Sequence, residues 1–204
     1  MSELILNEDE QDCLQELMNI AYGSATASIT EILNAHAELG IPRIKIINAD
    51  ELCDYLKEES EDNTPYFASV QQFNGEITGE NLFIIDKVSA KNIALQFGLE
   101  EDEIDDNELY DIILEITNIL SSATISKFSQ ELDAPVSFSP PSVDLLESII
   151  SLDNRFSKDY EKIIIVSTDI NFKEQNIKGQ FLILTTDESI LTIKKLLNKI
   201  LDEL

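Results

Sequence analysis

Residues 11–33 read QDCLQELMNIAYGSATASITEIL, and residues 110–132 read YDIILEITNILSSATISKFSQEL. Laid over one another, Asp12, Glu16 and Asn19 of the first become Asp111, Glu115 and Asn118 of the second, each at an offset of 99 residues. Pro42 becomes Pro141 at the same offset. Farther on, GEITGENLFIID (75–86) resembles NIKGQFLILTTD (176–187), with Gly79 matching Gly179. Self-similarity on this scale marks a duplicated unit. The chain of 204 residues therefore reads as one domain, 1–204, built from two repeats of about 1–99 and 100–204.

Working outward from the two quoted stretches, each repeat reads as helix, proline-marked break, strand, hairpin and helix. The first helix is expected from about Glu8 to about Leu39, with Asn7 as N-cap and Glu10 completing a capping box. Gly40 and Pro42 end it. A strand over Arg43–Asn48 follows, then a short helix over Glu51–Leu56. A hairpin of Tyr66–Phe73 and Ile77–Ile85 turns around Asn74-Gly75, and a helix spans Ser89–Phe97. The second repeat predicts a helix over Asn107–Leu132, a strand over Val136–Ser139 and helix over Ser142–Ile150. It closes with a hairpin of Lys162–Phe172 and Ile177–Thr185 and a helix over Glu188–Leu201. Neither half can bury its own sheet and helix. The expected fold is α+β: one continuous antiparallel sheet of about six strands with pseudo-two-fold symmetry and the two long motif helices on one face.

Positions 12, 16, 19 and 23 are spaced i, i+4, i+7 and i+11. At about 100° per residue they fall in a helical stripe roughly 60° wide. Leu14, Leu17, Ala21, Ala25 and Ile32 are expected on the opposite face. In the second helix Asp111, Glu115, Asn118 and Ser122 share a stripe, with Ile113, Ile116 and Leu120 behind it. The polar stripes should face outward, each ending in a small residue, Gly23 or Ser122, that lets a partner surface approach. A single Glu-x-x-Asn is a weak signal that a persisting duplication would explain. The longer pattern, repeated with a matching proline, is far more specific.

Composition narrows the chemistry. Forty Asp and Glu stand against 14 Lys and Arg, a formal charge of −26, which disfavours nucleic acid and anionic membrane as partners. Any partner should present a basic patch or a bound cation. No apolar run is long enough to cross a bilayer, and MSELILNEDEQ is unlike a secretory signal, so a cytoplasmic location is expected. Cys13 and Cys53 form neither a disulfide framework nor a metal site, and Cys13 reads as a small buried residue. The one histidine, His36, has no counterpart in the second repeat, which argues against Ser-His-Asp catalysis and a zinc centre. No phosphate-binding glycine loop is present. The acidic run Glu100–Asp106 reads as a solvated connection. What remains is the repeated Glu and Asn. A carboxamide both donates and accepts, so it can hold a water in line with a phosphorus atom. Phosphoryl transfer is mostly positioning and charge stabilisation. A carboxylate one turn away can dock a cation on the substrate.

The pattern Asp-x-x-x-Glu-x-x-Asn, followed by 22 residues and a Pro, resembles the signature of the CheC/CheX/FliY chemotaxis phosphatases. It occurs here as Asp12, Glu16, Asn19, Pro42 and again as Asp111, Glu115, Asn118, Pro141; NIAYGSATAS also resembles the small-residue run after the first CheC motif. Two intact motifs on a short chain look most like CheC, and the likeness covers essentially the whole chain. The resemblance implies a phosphatase acting on the phospho-aspartate of a CheY-type response regulator. Asn19 and Asn118 would orient the attacking water, and Glu16 and Glu115 would contact a lysine of the regulator. Asp12, Pro42, Asp111 and Pro141 would support the motifs. No cofactor or metal is expected on this chain, magnesium being carried by the regulator. The receptor deamidase CheD is a further family partner, and two complete halves favour a monomer. The alternative is a non-catalytic module that binds a phosphorylated regulator or CheD. A flagellar switch component is a third reading, disfavoured because no further C-terminal domain is seen. Tyr22 departs from the small-residue run, which leaves it either turned toward the core or restricting docking at the first site.

Overall fold

Nearly every residue of two central strands is buried on both sides, as the apolar runs YFASV and LFII require. These strands were located in a computed structural model that describes residues 5–33, 38–58, 65–147, 162–172 and 175–203. In chain order the elements are α1 (Glu8–Leu33), β1 (Glu38–Leu39), β2 (Arg43–Asn48), a 3₁₀ turn (Ala49–Glu51), α2 (Leu52–Glu58), β3 (Tyr66–Gly75), β4 (Gly79–Asp86) and α3 (Lys87–Gln96). There follow α4 (Asp106–Glu131), β5 (Val136–Phe138), β6 (Ser142–Leu146), β7 (Lys162–Phe172), β8 (Ile177–Thr185) and α5 (Asp187–Leu201).

The eight strands among the described residues join one antiparallel sheet, in the order β7–β8–β4–β3 through its middle. Beyond β7 lie β1 and β2, and beyond β3 lie β5 and β6. The repeats are thereby interlocked: β2 of the first pairs with β7 of the second, and β6 of the second pairs with β3 of the first. Around the centre the repeat offset is 100: Gly79 matches Gly179, and the helix N-caps Asp86 and Thr186 match each other. The β4–β8 register sets Leu82 opposite Leu182, its own counterpart, so the pseudo-two-fold axis passes through that pair.

Two apolar layers hold the sheet. On one face α1, α4, α3 and α5 pack over Phe67, Phe73, Phe83, Phe181 and Ile183. On the other α2 brings Leu52, Tyr55 and Leu56 against Val70, Leu82, Ile165 and Leu184. Each fully buried side chain of this size contributes about 1.5–3 kcal/mol relative to exposure. α1 and α4 also pack on one another. The α+β architecture, the antiparallel sheet and the placing of both motif helices on one face follow the expectation, with eight strands rather than about six.

Four local expectations are corrected. The described part of α1 ends at Leu33, and Glu38–Leu39 is a strand paired with Asn171 and Ile170; a partner in the other repeat decides that segment's structure. Ile32 is 45% exposed instead of packed. Asn74 and Gly75 do not turn: they remain in β3 opposite Ser137 and Val136 of β5, and the chain reverses at Glu76–Thr78. A Cβ on Gly75 would collide with the Pro135 carbonyl oxygen, so this glycine serves strand approach. Ser142–Leu146 is strand β6 rather than helix, because the open edge of β3 offers it backbone partners; Ile149 and Ile150 lie outside the described residues. His36 and the Cys53 side chain also lie outside them.

Candidate functional site

α1 begins as its sequence dictates. The Asn7 side chain accepts from the Glu10 backbone N–H at 2.9 Å, and the Glu10 carboxylate accepts from the Asn7 N–H at 2.8 Å. Glu10 is only 1% exposed, and its other oxygen accepts from the Asn198 side chain of α5 at 2.7 Å. The Lys194 ammonium lies 3.5 Å from the carboxylate oxygen that meets the Asn7 N–H. Burial pushes the Glu10 carboxyl up, but the Asn7 N–H, the Asn198 amide and Lys194 together hold it below its ordinary value. The first motif helix is thus tied at its start to the last helix of the chain.

From that start the helical period places Asp12, Glu16, Asn19 and Gly23 at the surface, while Leu14, Leu17, Ala21 and Ala25 are buried. On α4, capped by the Asp105 carboxylate, Asp111, Glu115 and Asn118 are exposed and Ser122 is half-buried. Ile113, Ile116 and Leu120 are buried behind them. Both polar ridges therefore face outward. Beside them Ile20 is 40% exposed, an apolar contact next to Asn19, and its counterpart Ile119 is half-buried. Beyond its chain neighbours and its own helical backbone, no atom of the described residues lies within 4 Å of where a Cβ on Gly23 would stand. Nothing within the chain demands a glycine there, although glycine in a helix costs about 1 kcal/mol against alanine.

Pro42 and Pro141 do not join the ridges. Each immediately precedes an edge strand, β2 or β6, where a missing N–H is tolerated. Tyr22 turns inward: it is 2% exposed and its hydroxyl donates to the Val166 carbonyl at 3.1 Å. Its ring meets Phe181 edge-on, with centroids 6.3 Å apart, and burial raises its phenol well above the ordinary value. Cys13 is a half-buried free thiol against the apolar core, and burial raises it too.

One residue near the ridges was missed in sequence. Gln71 of β3, 2% exposed, donates through Nε2 to Asn118 Oδ1 at 3.0 Å and to the Ser139 carbonyl at 2.9 Å. Its signal is an inward-facing amide in the alternation Phe67, Ser69, Gln71, Phe73. Among the described residues Asn19 has no such side-chain hydrogen bond. Among them too, no cluster of three or more His, Cys, Asp or Glu is arranged to hold a metal ion, and no helix is long and apolar enough to cross a membrane.

A duplicated α+β sheet carrying two outward Glu/Asn ridges defines the structural class. Comparison with known proteins then shows what the chain resembles. The model described as "Chemotaxis phosphatase CheX" matches residues 67–159. "CheY-P phosphatase CheC" of Bacillus subtilis is 24% identical over 198 residues, covering 90% of this chain and 91% of that protein. "Flagellar motor switch phosphatase FliY" of the same organism is 24% identical over 173 residues, covering 83% of this chain. The match spans only 44% of that FliY's length. The crystal structure of Thermotoga maritima FliY superposes with a TM-score of 0.74 at 19% identity, covering 96% of this chain and 98% of that one. The chain is thus similar in sequence and in fold to the CheC, CheX and FliY proteins.

Proposed function

We propose that this chain hydrolyses the phospho-aspartate of a CheY-type response regulator and so ends its signal. The observation that carries the reading is the doubled Glu-x-x-Asn ridge, exposed on both motif helices. The Bacillus CheC relative is named a CheY-P phosphatase, which agrees with it.

In this reading each carboxamide accepts a hydrogen bond from a water and holds the water's lone pair toward phosphorus. The water oxygen forms a bond to phosphorus as the bond to the aspartyl oxygen breaks. Free carboxylate and inorganic phosphate result, and the water's proton passes to solvent or phosphate. The regulator brings its own magnesium to bear the developing charge, so this chain supplies position. Glu16 and Glu115 pair with a lysine of the regulator, which strengthens as the interface excludes water. The charge of −26 favours a basic docking face.

The test is acyl-phosphate lifetime on a phosphorylated receiver domain, with radiolabelled or fluorescent readout. Asn19→Ala and Asn118→Ala combined should slow catalysed release by about 100-fold or more. A double variant as fast as the parent would remove the amides from the chemistry.

A further inference from the structure

Among the positions at which the two hairpins differ, one cross-strand pair falls directly beneath the motifs. Asn81 and Phe181 are counterparts at the central offset of 100. Gln71 stands opposite Asn81 in β3–β4, and Thr168 stands opposite Phe181 in β7–β8. Gln71 and Thr168 are therefore counterparts. They share one bond: Gln71 Nε2 donates to the Ser139 carbonyl at 2.9 Å, and Thr168 Oγ1 donates to the Gly40 carbonyl at 2.8 Å. Ser139 and Gly40 are themselves counterparts at the offset of 99. The duplicated fold thus keeps a side-chain tie from each hairpin to the loop before each edge strand.

A threonine hydroxyl has one hydrogen, and here it is directed to Gly40. An amide nitrogen has two, and the second reaches Asn118 Oδ1 at 3.0 Å. The orientation of both amides follows. The Ser139 carbonyl only accepts, so the Gln71 atom facing it is nitrogen. That nitrogen's other hydrogen needs an acceptor, so the Asn118 atom facing it is oxygen. Asn118 is then left with one lone pair on Oδ1 and both hydrogens of Nδ2 for ligands.

The surroundings have adjusted as a set. Under α1, Tyr22 and Phe181 fill the space, and Val166 supplies the carbonyl that Tyr22 meets. At the matched places under α4 stand Ser121 and Asn81, both buried, which leave volume for a longer Gln71. We infer that Gln71 is a positioning residue that fixes the Asn118 carboxamide in one orientation, making the α4 site the preorganised one and leaving Asn19 free to rotate.

The inference rests on the proposed phosphatase reading, and its test is built to separate the two. The first measurement is nuclear magnetic relaxation of the side-chain NH2 groups in the whole chain. Asn118 should show a higher order parameter than Asn19, and Gln71→Thr, the natural counterpart, should lower it to the Asn19 level. Equal order parameters in the parent, or no change in Gln71→Thr, overturn the clamp whatever the activity. The second is turnover in an Asn19→Ala background, where only the α4 site acts. Gln71→Thr and the similarly sized Gln71→Leu should each lower kcat by about 10-fold, with KM changed less than twofold. An unchanged kcat in both would overturn the positioning role. A parent with no phosphatase activity would sink the functional reading alone, with the relaxation result still deciding the clamp.

Discussion

The α1 and α4 ridges carry the same three motif residues, yet they are supported in opposite ways. α1 rests on an apolar bed of Tyr22, Phe181 and Val166 and is fastened at its start by the buried Glu10. α4 rests on Gln71 and Asn81, and Leu109 stands where α1 has Glu10. A duplicated unit can therefore keep its surface motif while the layer beneath it diverges. In the proposed reading that layer decides how firmly each amide is held.

The sharpest way to break the comparison is at the apolar bed. Phe181→Ala, at a fully buried ring, should cost about 3–5 kcal/mol in urea unfolding. Asn81→Ala should cost clearly less, since neither atom of its amide has a hydrogen-bond partner among the described residues. Equal losses would mean that the two beds are energetically alike. Next in size, Ser121→Tyr imports the α1 residue into the α4 bed. Overpacking should cost about 1–3 kcal/mol and lower turnover in an Asn19→Ala background.

A smaller effect sharpens the surface comparison. Gly23→Ala should stabilise the chain by about 1 kcal/mol, read as a rise in Tm, because open space meets the new methyl group. In an Asn118→Ala background the same variant should slow phosphate release if close approach at Gly23 is used. The smallest effect concerns the two helix starts. The Glu10 carboxyl is held below its ordinary value, so its contribution is complete above the unfolded pKa of about 4.3 and is lost as pH falls through the folded value. Glu10→Gln should flatten the acid limb of the stability profile, measured by denaturation between pH 6 and about 2.

The ridges were legible because a helix puts i, i+4 and i+7 on one face, and the duplication repeated that spacing without a gap. Both motif helices and the second hairpin followed within a residue or two, apart from the far end of α1. What failed was decided across the chain. Asn-Gly is a turn signal taken alone, but Pro135 needed the empty Cβ position at Gly75 more than the hairpin needed it at a bend. Segment 142–146 had a strand edge waiting in the other repeat. Gln71 was hidden for the same reason. It sits in the first repeat and serves Asn118 in the second, and its counterpart Thr168 lies at an offset of 97 while the helices keep 99, so an ungapped overlay loses it. Ser142 and Glu38 show equally that edge strands are named by their neighbours.

The exchange of outer strands between repeats has a consequence for assembly. Severing the chain in the acidic connection at Glu100–Asp106 would give two pieces, each with a hairpin whose outer edge is left bare. Each piece would hold the strand that its mate requires. Neither should be stable alone, and mixing them should restore the native spectrum by complementation. Closure of β2 onto β7 and of β6 onto β3 must span long sequence separations, so the ring of contacts completes late and slowly in folding.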